Sequence, residues 1–468
     1  MLAGAGSLLR AARLPVLALA QPEAWHRQQA RWLRRQALLA GALGLLALIA
    51  LMWHSLLAGF VLLAALLLGA ALLLPLCLDR LLEILLPRCR RPLAQWFVAD
   101  CRQQLPGLSL ALMALLLAMA ASIGVGSMTE GFLRTFSDWL DQRLAAELYV
   151  TPRDPQQSLA IGDWLRGRKE IDSVLPSWRV ELRMGDRPAQ LYGILDHPAY
   201  RAHWPLLRAS PDAWERLARQ EALMLSEQLA RRLDVDLGGR VTLPTPQGDW
   251  NLEVAGIYAD YGNPKGHLLV NVEGLKRHWP GLTPLSYSLY LPSTATPALM
   301  AALQAEFRLD SSRIVDQGEL KSWSTRVFER TFAATTALNW LTLGVAGVAL
   351  FISLLTLGTD RLAQLAPLWA LGVQRSRLAL LSLGQTLLLA SITVLLAIPL
   401  GLLLAWCLVA LINVLAFGWR LPLHIFPGQI GQLLGMALLV TLLAAAWPLW
   451  RLGRSVPADL LRSFADER

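Results

Sequence analysis

Six long stretches of this chain are almost wholly apolar, and no other feature limits its fold so strongly. They run over about 37–53, 56–77, 105–128, 333–357, 379–411 and 430–450. A helix that crosses a bilayer needs about 20 mostly apolar residues, so each stretch predicts one membrane span. The first two form a tight hairpin around His54 and Ser55. The fifth is long and holds Pro399 and Gly401, which predicts a kink or an extension beyond the bilayer. Only 16% of the residues are charged and 55% are hydrophobic. A soluble chain carries nearer a quarter charged, so the missing charge fits lipid-facing surface.

Arginine placement predicts the direction of the spans. Segments 1–36, 78–104, 358–378 and 451–468 hold six, five, three and four arginines. The short connections on the other side, 54–55 and 412–429, hold Arg420 alone. Such a bias marks the cytoplasmic side and puts both termini there, in the inner membrane, with 129–332 on the outer side. The formal net charge of +9 therefore has an orienting role, and nucleic acid is not an expected partner. Trp53, Trp340, Trp419, Trp447 and Trp450 fall near span ends, where interfacial aromatics belong.

The first twenty residues imitate a signal peptide, with Arg10 and Arg13 before an apolar run from Leu14 to Ala20. That run is at the short limit for such a core, and a second cluster (Arg27, Arg31, Arg34, Arg35) follows. Residues 1–36 are read as an uncleaved cytoplasmic segment and 78–104 as a cytoplasmic amphipathic connector. The cysteines (Cys77, Cys89, Cys101, Cys407) avoid 130–330, so no disulfide framework is expected there, and their spacing matches no zinc pattern.

Residues 129–332 change character. Short alternating runs predict strands at Arg179–Met184, Gln190–Ile194, Val241–Leu243, Asn251–Val254 and Ser286–Leu291. Helical spacing flanks them: Phe132, Phe136, Trp139, Leu140 and Leu144 on one side, Leu320, Trp323, Val327, Phe328 and Phe332 on the other. Ordinary core-facing helices and a pair of stalk helices leaving the membrane look alike in sequence; the position against the spans favours the stalk. The fold expected is membrane α-helical, with six spans and an α+β extracytoplasmic domain between spans three and four.

Chemistry-bearing motifs are missing. No phosphate-cradling Gly-x-x-x-x-Gly-Lys-Ser/Thr, no His-Glu-x-x-His and no Gly-x-Ser-x-Gly occurs. His197 and His203 are isolated and read as surface residues, and Gly262–Gly266 as a turn-rich loop. No cofactor, metal site or catalytic site is expected. Span centres lack ionisable residues, which weighs against a proton-coupled transporter. Thr335, Thr336, Asn339 and Gln385 remain as polar groups suited to helix-to-helix hydrogen bonds.

Two passages resemble the FtsX-like, MacB-type permeases of ABC transporters. One starts at Leu225-Ser226-Glu227-Gln228-Leu229-Ala230 and runs through Leu233, Val235 and Leu237-Gly238. It continues through Val241 to Leu243, then Gly248, Leu252, Val254, Gly256-Ile257 and Asp260-Tyr261-Gly262. Gly239 stands where the family usually has an acidic residue. The other comprises Arg361, Leu368, Leu371-Gly372-Val373, Arg375 and Gln385, the last replacing a family Glu, with Pro367 interrupting the helix. Pro457 to Arg462 resembles the family's ending.

The resemblance covers 105–468 and implies a four-span module: one span, a periplasmic domain, then an FtsX-like three-helix region over 333–468. It implies a cytoplasmic ABC ATPase, a separate chain, docking on a short helix in 358–378, and no catalysis in this chain itself. Arg361, Leu365, Leu368, Trp369, Leu371, Gly372 and Arg375 are the coupling residues on this reading. From the residues alone, a helix lying on inner-leaflet lipid fits equally well. The hairpin 37–77 resembles the extra spans that join two modules in longer relatives, so a second permease chain or a homodimer is a possible partner. The function implied is coupling of ATP hydrolysis to motion of the outer domain, for export or extraction of a hydrophobic or lipid-linked substrate. The alternative is a membrane-anchored sensor or scaffold whose outer domain binds a ligand without any ATPase.

Overall fold

The computed structural model describes residues 22–454 apart from 186, 262, 264, 371 and 372. The expectations placed on residues 1–21 and on Pro457 to Arg462 lie outside the described residues. The chain divides into two compact units: residues up to 128 with 335–408 and 424 onward, and 129–334 with 409–423.

Among the described residues six helices are long and apolar enough to cross a membrane. The two at the N-terminal end are α1 (Pro22–Met52) and α2 (Leu56–Leu85). Ser55 caps α2 by accepting a hydrogen bond from the Ala58 N–H at 3.2 Å, which fixes the hairpin. Helix α3 (Pro92–Arg143) carries the third span. Its buried side chains Leu108, Leu112, Leu115, Met119 and Ile123 form a core with Leu74, Leu78 and Leu82 of α2. Arg102 of α3 reaches Asp79 of α2 at 2.9 Å.

Beyond 128 the second unit begins. Its elements are β1 (Leu148–Val150), α4 (Pro155–Arg166), β2 (Ser173–Met184), β3 (Arg187–Ile194), α5 (Pro198–His203) and β4 (Leu206–Ala209). They continue as α6 (Ala213–Ala218), β5 (Ala222–Ser226), α7 (Glu227–Leu233), β6 (Arg240–Thr245), β7 (Gly248–Tyr258) and β8 (His267–Asn271). Then come α8 (Val272–His278), β9 (Ser286–Tyr290), α9 (Thr296–Phe307) and β10 (Ile314–Asp316). The strands form one sheet of order β10-β1-β9-β2-β3-β8-β5-β7-β4, with β6 on β7.

Strand β2 joins two lobes of this sheet. Its first half, Ser173–Ser177, pairs antiparallel with β9, and its second half, Trp178–Met184, pairs with β3. One lobe packs α4 and α9 on a core of Leu148, Ile161, Leu165, Leu289 and Leu303. The other buries Leu191, Leu223, Leu225, Val254, Leu268 and Val270. All five predicted runs lie in or end at strands. Strands β5 and β8 have no alternation because both faces are covered, and each has one parallel neighbour.

Helix α10 (Gln317–Ala370) enters the membrane unit again, followed by α11 (Arg375–Cys407), α12 (Asn413–Phe417) and α13 (Pro427–Arg454). Helix α11 passes through Pro399 unbroken, then widens into a π turn at Leu408–Ile412. The widened turn continues the apolar helix, which runs from Ser376 to Phe417. Gly401 lets α11 approach α3: a Cβ there would lie 2.6 Å from Ile123 Cβ. Small residues allow such approach in lipid, where packing replaces the hydrophobic drive.

Candidate functional site

Segment 358–378 is built differently from the short docking helix expected there. Arg361, Leu365, Leu368 and Trp369 lie on the last turns of α10, which runs on through Pro367 to Ala370. Pro367 therefore does not interrupt the helix; it deletes one backbone N–H, and the remaining ladder carries the turn to Ala370. Leu371 and Gly372 lie outside the described residues, and Arg375 starts α11.

Three polar side chains of α3 and α11 form a buried knot that no local sequence pattern marks. Asp100 and Gln104 stand one turn apart on α3, and Gln385 faces them from α11. Gln104 Nε2 donates to Asp100 Oδ2 at 2.6 Å, and Gln385 Nε2 donates to the same oxygen at 2.8 Å. Gln104 Nε2 also reaches Gln385 Oε1 at 2.9 Å. All three side chains are buried, so each amide replaces water that the carboxylate has lost. Gln385 does make the helix-to-helix bonds expected of it. Asp100 and Gln104 escaped notice because they fall just outside the apolar run that begins near 105.

In the other unit the aromatic row of α3 is covered. Phe132 and Phe136 stack at 5.6 Å between centroids, and Phe136 meets Trp139 at 5.5 Å. Trp419 lies 6.1 Å from Phe132, 5.5 Å from Phe417 and 5.0 Å from Tyr261, which in turn meets Trp139 at 5.9 Å. Trp139 Nε1 donates to the Ala259 carbonyl at 3.0 Å. Trp419 is only 6% exposed, whereas Trp53, Trp340, Trp447 and Trp450 are all at least 46% exposed. Trp419 is thus not an interfacial aromatic: its ring lies inside this cluster, where aromatic contacts outweigh a place at the headgroups.

Backbone contacts hold the segment in place. Asn413 Nδ2 donates to the Trp419 carbonyl at 2.8 Å, and the Arg420 N–H donates to Glu227 Oε2 at 3.2 Å. Gly418 has φ +80, and a Cβ added there would lie 3.7 Å from Gln228. Gln228 Nε2 donates to the Asp260 carbonyl at 2.8 Å, so Glu227, Gln228 and Asp260-Tyr261 form the seat of segment 409–423. Behind them buried His267 Nδ1 lies 2.7 Å from Asp260 Oδ2.

Leu140, the last member of the α3 row, is half-buried. On α10, Val327 and Trp323 are exposed, and the Phe328 side chain lies outside the described residues. Lys321 pairs with Asp141 at 2.7 Å, and the Gln317 N–H donates to the Glu147 carbonyl at 3.0 Å. These contacts tie the C-terminal end of α3 and the residues just after it to the start of α10.

A cavity of about 240 Å³ opens where β2 changes partner. Ser177 of β2 and Ser286 of β9 meet across it, their hydroxyls 2.7 Å apart. Arg143, the last residue of α3, lies in its wall with its guanidinium 4.4 Å over the Trp204 ring. Burial pushes the Tyr200 hydroxyl up to about 12. It raises Tyr149 as well, so both are neutral donors at ordinary pH.

Two families match this chain: residues 336–457 match the FtsX-like permease C-terminal family, and 108–308 the MacB-like periplasmic core domain. The chain is 28% identical over 397 residues to an uncharacterized ABC transporter permease protein of Mycobacterium tuberculosis. The match covers 81% of this chain and 46% of that relative, so the chain spans about half the relative's length. Among solved structures, the periplasmic region of MacB from Actinobacillus actinomycetemcomitans is similar at 15% identity. It covers 38% of this chain and 91% of that one, with a TM-score of 0.27. The extracellular domain of the noncanonic ABC-type transporter YknZ from Gram-positive bacteria is similar at 14% identity, 36% and 98% coverage and a TM-score of 0.26.

Proposed function

Because the chain belongs to the FtsX-like, MacB-type permeases of ABC transporters and is a multi-pass membrane protein, we propose that it couples a partner's ATP hydrolysis to motion of its MacB-like domain. The ATPase docks on 358–378, on the cytoplasmic face of the inner membrane, with both chain termini on that face. The observation that carries this reading is that α3 and α10 each contribute to both units. Two rigid helices shared in this way are the elements through which a displacement at one end reaches the other.

The polar knot gives the input a path. Gln385 sits about ten residues beyond Arg375, so a shift of the docking segment pulls on Asp100 and Gln104 and through them on α3. Trp419 gives the output a second path, because segment 409–423 follows directly on α11 and rests on the seat around Glu227 and Tyr261. The domain then acts on a hydrophobic or lipid-linked substrate, in export or extraction. A second permease module, from another chain or a second copy, completes the pair that an ATPase dimer drives.

Affinity purification of the full chain from its own membranes in mild detergent, followed by mass spectrometry and an ATPase assay, tests the reading. An ABC ATPase is expected to co-purify, and Leu371→Glu is expected to leave insertion intact while lowering its recruitment and stimulated turnover at least fivefold. A burial cost of several kcal/mol for one carboxylate in an apolar docking surface makes that loss large. Undiminished recruitment and stimulation by Leu371→Glu would remove the docking claim.

A further inference from the structure

The cavity at the β2 switch point has a charge imbalance that packing does not explain. Arg143 is in its wall, and no Asp or Glu lines it. Among the described residues Arg143 has no ion pair; its guanidinium carbon lies 4.4 Å over the Trp204 ring instead. The second cavity of this unit, about 430 Å³, is the contrast: its Arg208 is paired with Asp236 at 2.8 Å and its Arg231 with Glu227 at 2.8 Å. Those cations are neutralised by the protein itself. Arg143 is not.

A guanidinium that lies over an indole ring and has no carboxylate partner has N–H groups to offer a planar oxyanion. Around it the wall is rich in hydroxyls. Ser177 and Ser286 form one pair, Ser288 and Tyr200 add further hydroxyls, and Tyr192 and Tyr290 bring two more phenols. Their rings supply flat apolar faces beside those hydroxyls, so one wall can pack a ring's C–H groups while another bonds its oxygens. A volume near 240 Å³ admits one such ring with its anionic group.

We propose that this cavity binds a small organic anion with a hydroxylated body, the chemistry of a sugar acid or a sugar phosphate. The oxyanion meets Arg143, and the sugar oxygens meet the tyrosine and serine hydroxyls. The site touches the end of α3 directly, because the Tyr149 hydroxyl donates to the Arg143 carbonyl at 3.3 Å and accepts from the Ala146 N–H at 3.3 Å. An occupant therefore stiffens the last turn of α3 and its junction with β1. Ligand binding is independent of ATPase docking and is measured without it.

Isothermal titration of the full chain in nanodiscs of phosphatidylcholine, with glucose 6-phosphate, glucuronate, glucose and benzoate, tests the site. Both sugar anions are expected to bind at least tenfold more tightly than glucose or benzoate. Arg143→Gln is expected to abolish that preference, Arg143→Lys to retain part of it, and Tyr290→Phe to weaken both sugar anions several-fold. Circular dichroism checks each variant's fold, and Tyr290→Phe, which removes one oxygen, carries the test if Arg143→Gln does not fold. Adding phosphatidylinositol to the nanodiscs separates the sources: a lipid headgroup ligand raises the apparent Kd for glucose 6-phosphate, and a soluble one leaves it unchanged. Glucose binding as tightly as its anionic derivatives, the absence of heat with every probe, or an unchanged preference in Arg143→Gln would overturn the proposal.

Discussion

At the scale of single residues, Trp419 carries more than its position in the sequence announced. Its ring is shared by Phe132, Phe417 and Tyr261, so Trp419→Ala opens a cavity that none of them can fill. Such truncations cost about 3–5 kcal/mol. The expected result is a lower thermal midpoint for the purified chain and a loss of ATPase stimulation at unchanged ATPase recruitment; normal stimulation would show that segment 409–423 transmits nothing. Surface charges predict a different response. Arg201 bonds Asp196 at 2.8 Å and Glu215 at 2.6 Å and holds both carboxyls below their ordinary values of 3.8 and 4.5. Groups with lowered folded-state values stabilise the fold above their ordinary values and lose that contribution as pH falls through them. The thermal midpoint is therefore expected to hold from pH 7 to about 5 and to fall below 4.5, with a smaller fall in Arg201→Met. Both pairs are largely solvated, so the effect is modest. Trp419 was misplaced at the membrane interface because hydropathy reports how apolar a segment is and carries no record of which unit it packs against.

At the scale of elements, the knot between α3 and α11 is the most exacting contact. Gln385→Leu removes two donors and an acceptor at once and leaves buried Asp100 with Gln104 alone. Interhelical bonds in membranes are worth about 0.6 kcal/mol on average and up to about 1.7. Loss of a few degrees in thermal midpoint is expected, with a several-fold drop in stimulated ATPase activity; Gln385→Glu is expected to be worse, since two carboxylates would face each other across 3 Å or so. Full activity in Gln385→Leu would take the knot out of the coupling path. Apolar length made the six spans legible, and alternation made the half-exposed strands legible. Strands β5 and β8 were not, because burial on both faces erases the alternation that marks a half-exposed strand. The knot was hidden for another reason: Asp100 and Gln385 are 285 positions apart, and nothing local in either stretch reports the other.

At the scale of the whole molecule, the proposed coupling requires the docking segment and the MacB-like domain to face opposite sides of the membrane. The arginine bias points that way, and so does the single apolar span, Ala333–Leu357, that separates the two. The candidate site divides along the same line. Its docking residues were named from family resemblance, its knot and its Trp419 seat came only with the fold, and the ligand cavity exists only because β2 changes partners at Ser177. Cysteine labelling addresses the arrangement most directly. With Cys77, Cys89, Cys101 and Cys407 replaced, a single cysteine is placed either at Gln247, on the exposed β6–β7 turn, or at Gln374, just before α11. A membrane-impermeant maleimide is expected to label the first in intact cells and the second only after permeabilisation; the reverse pattern would put the domain in the cytosol and contradict the coupling scheme.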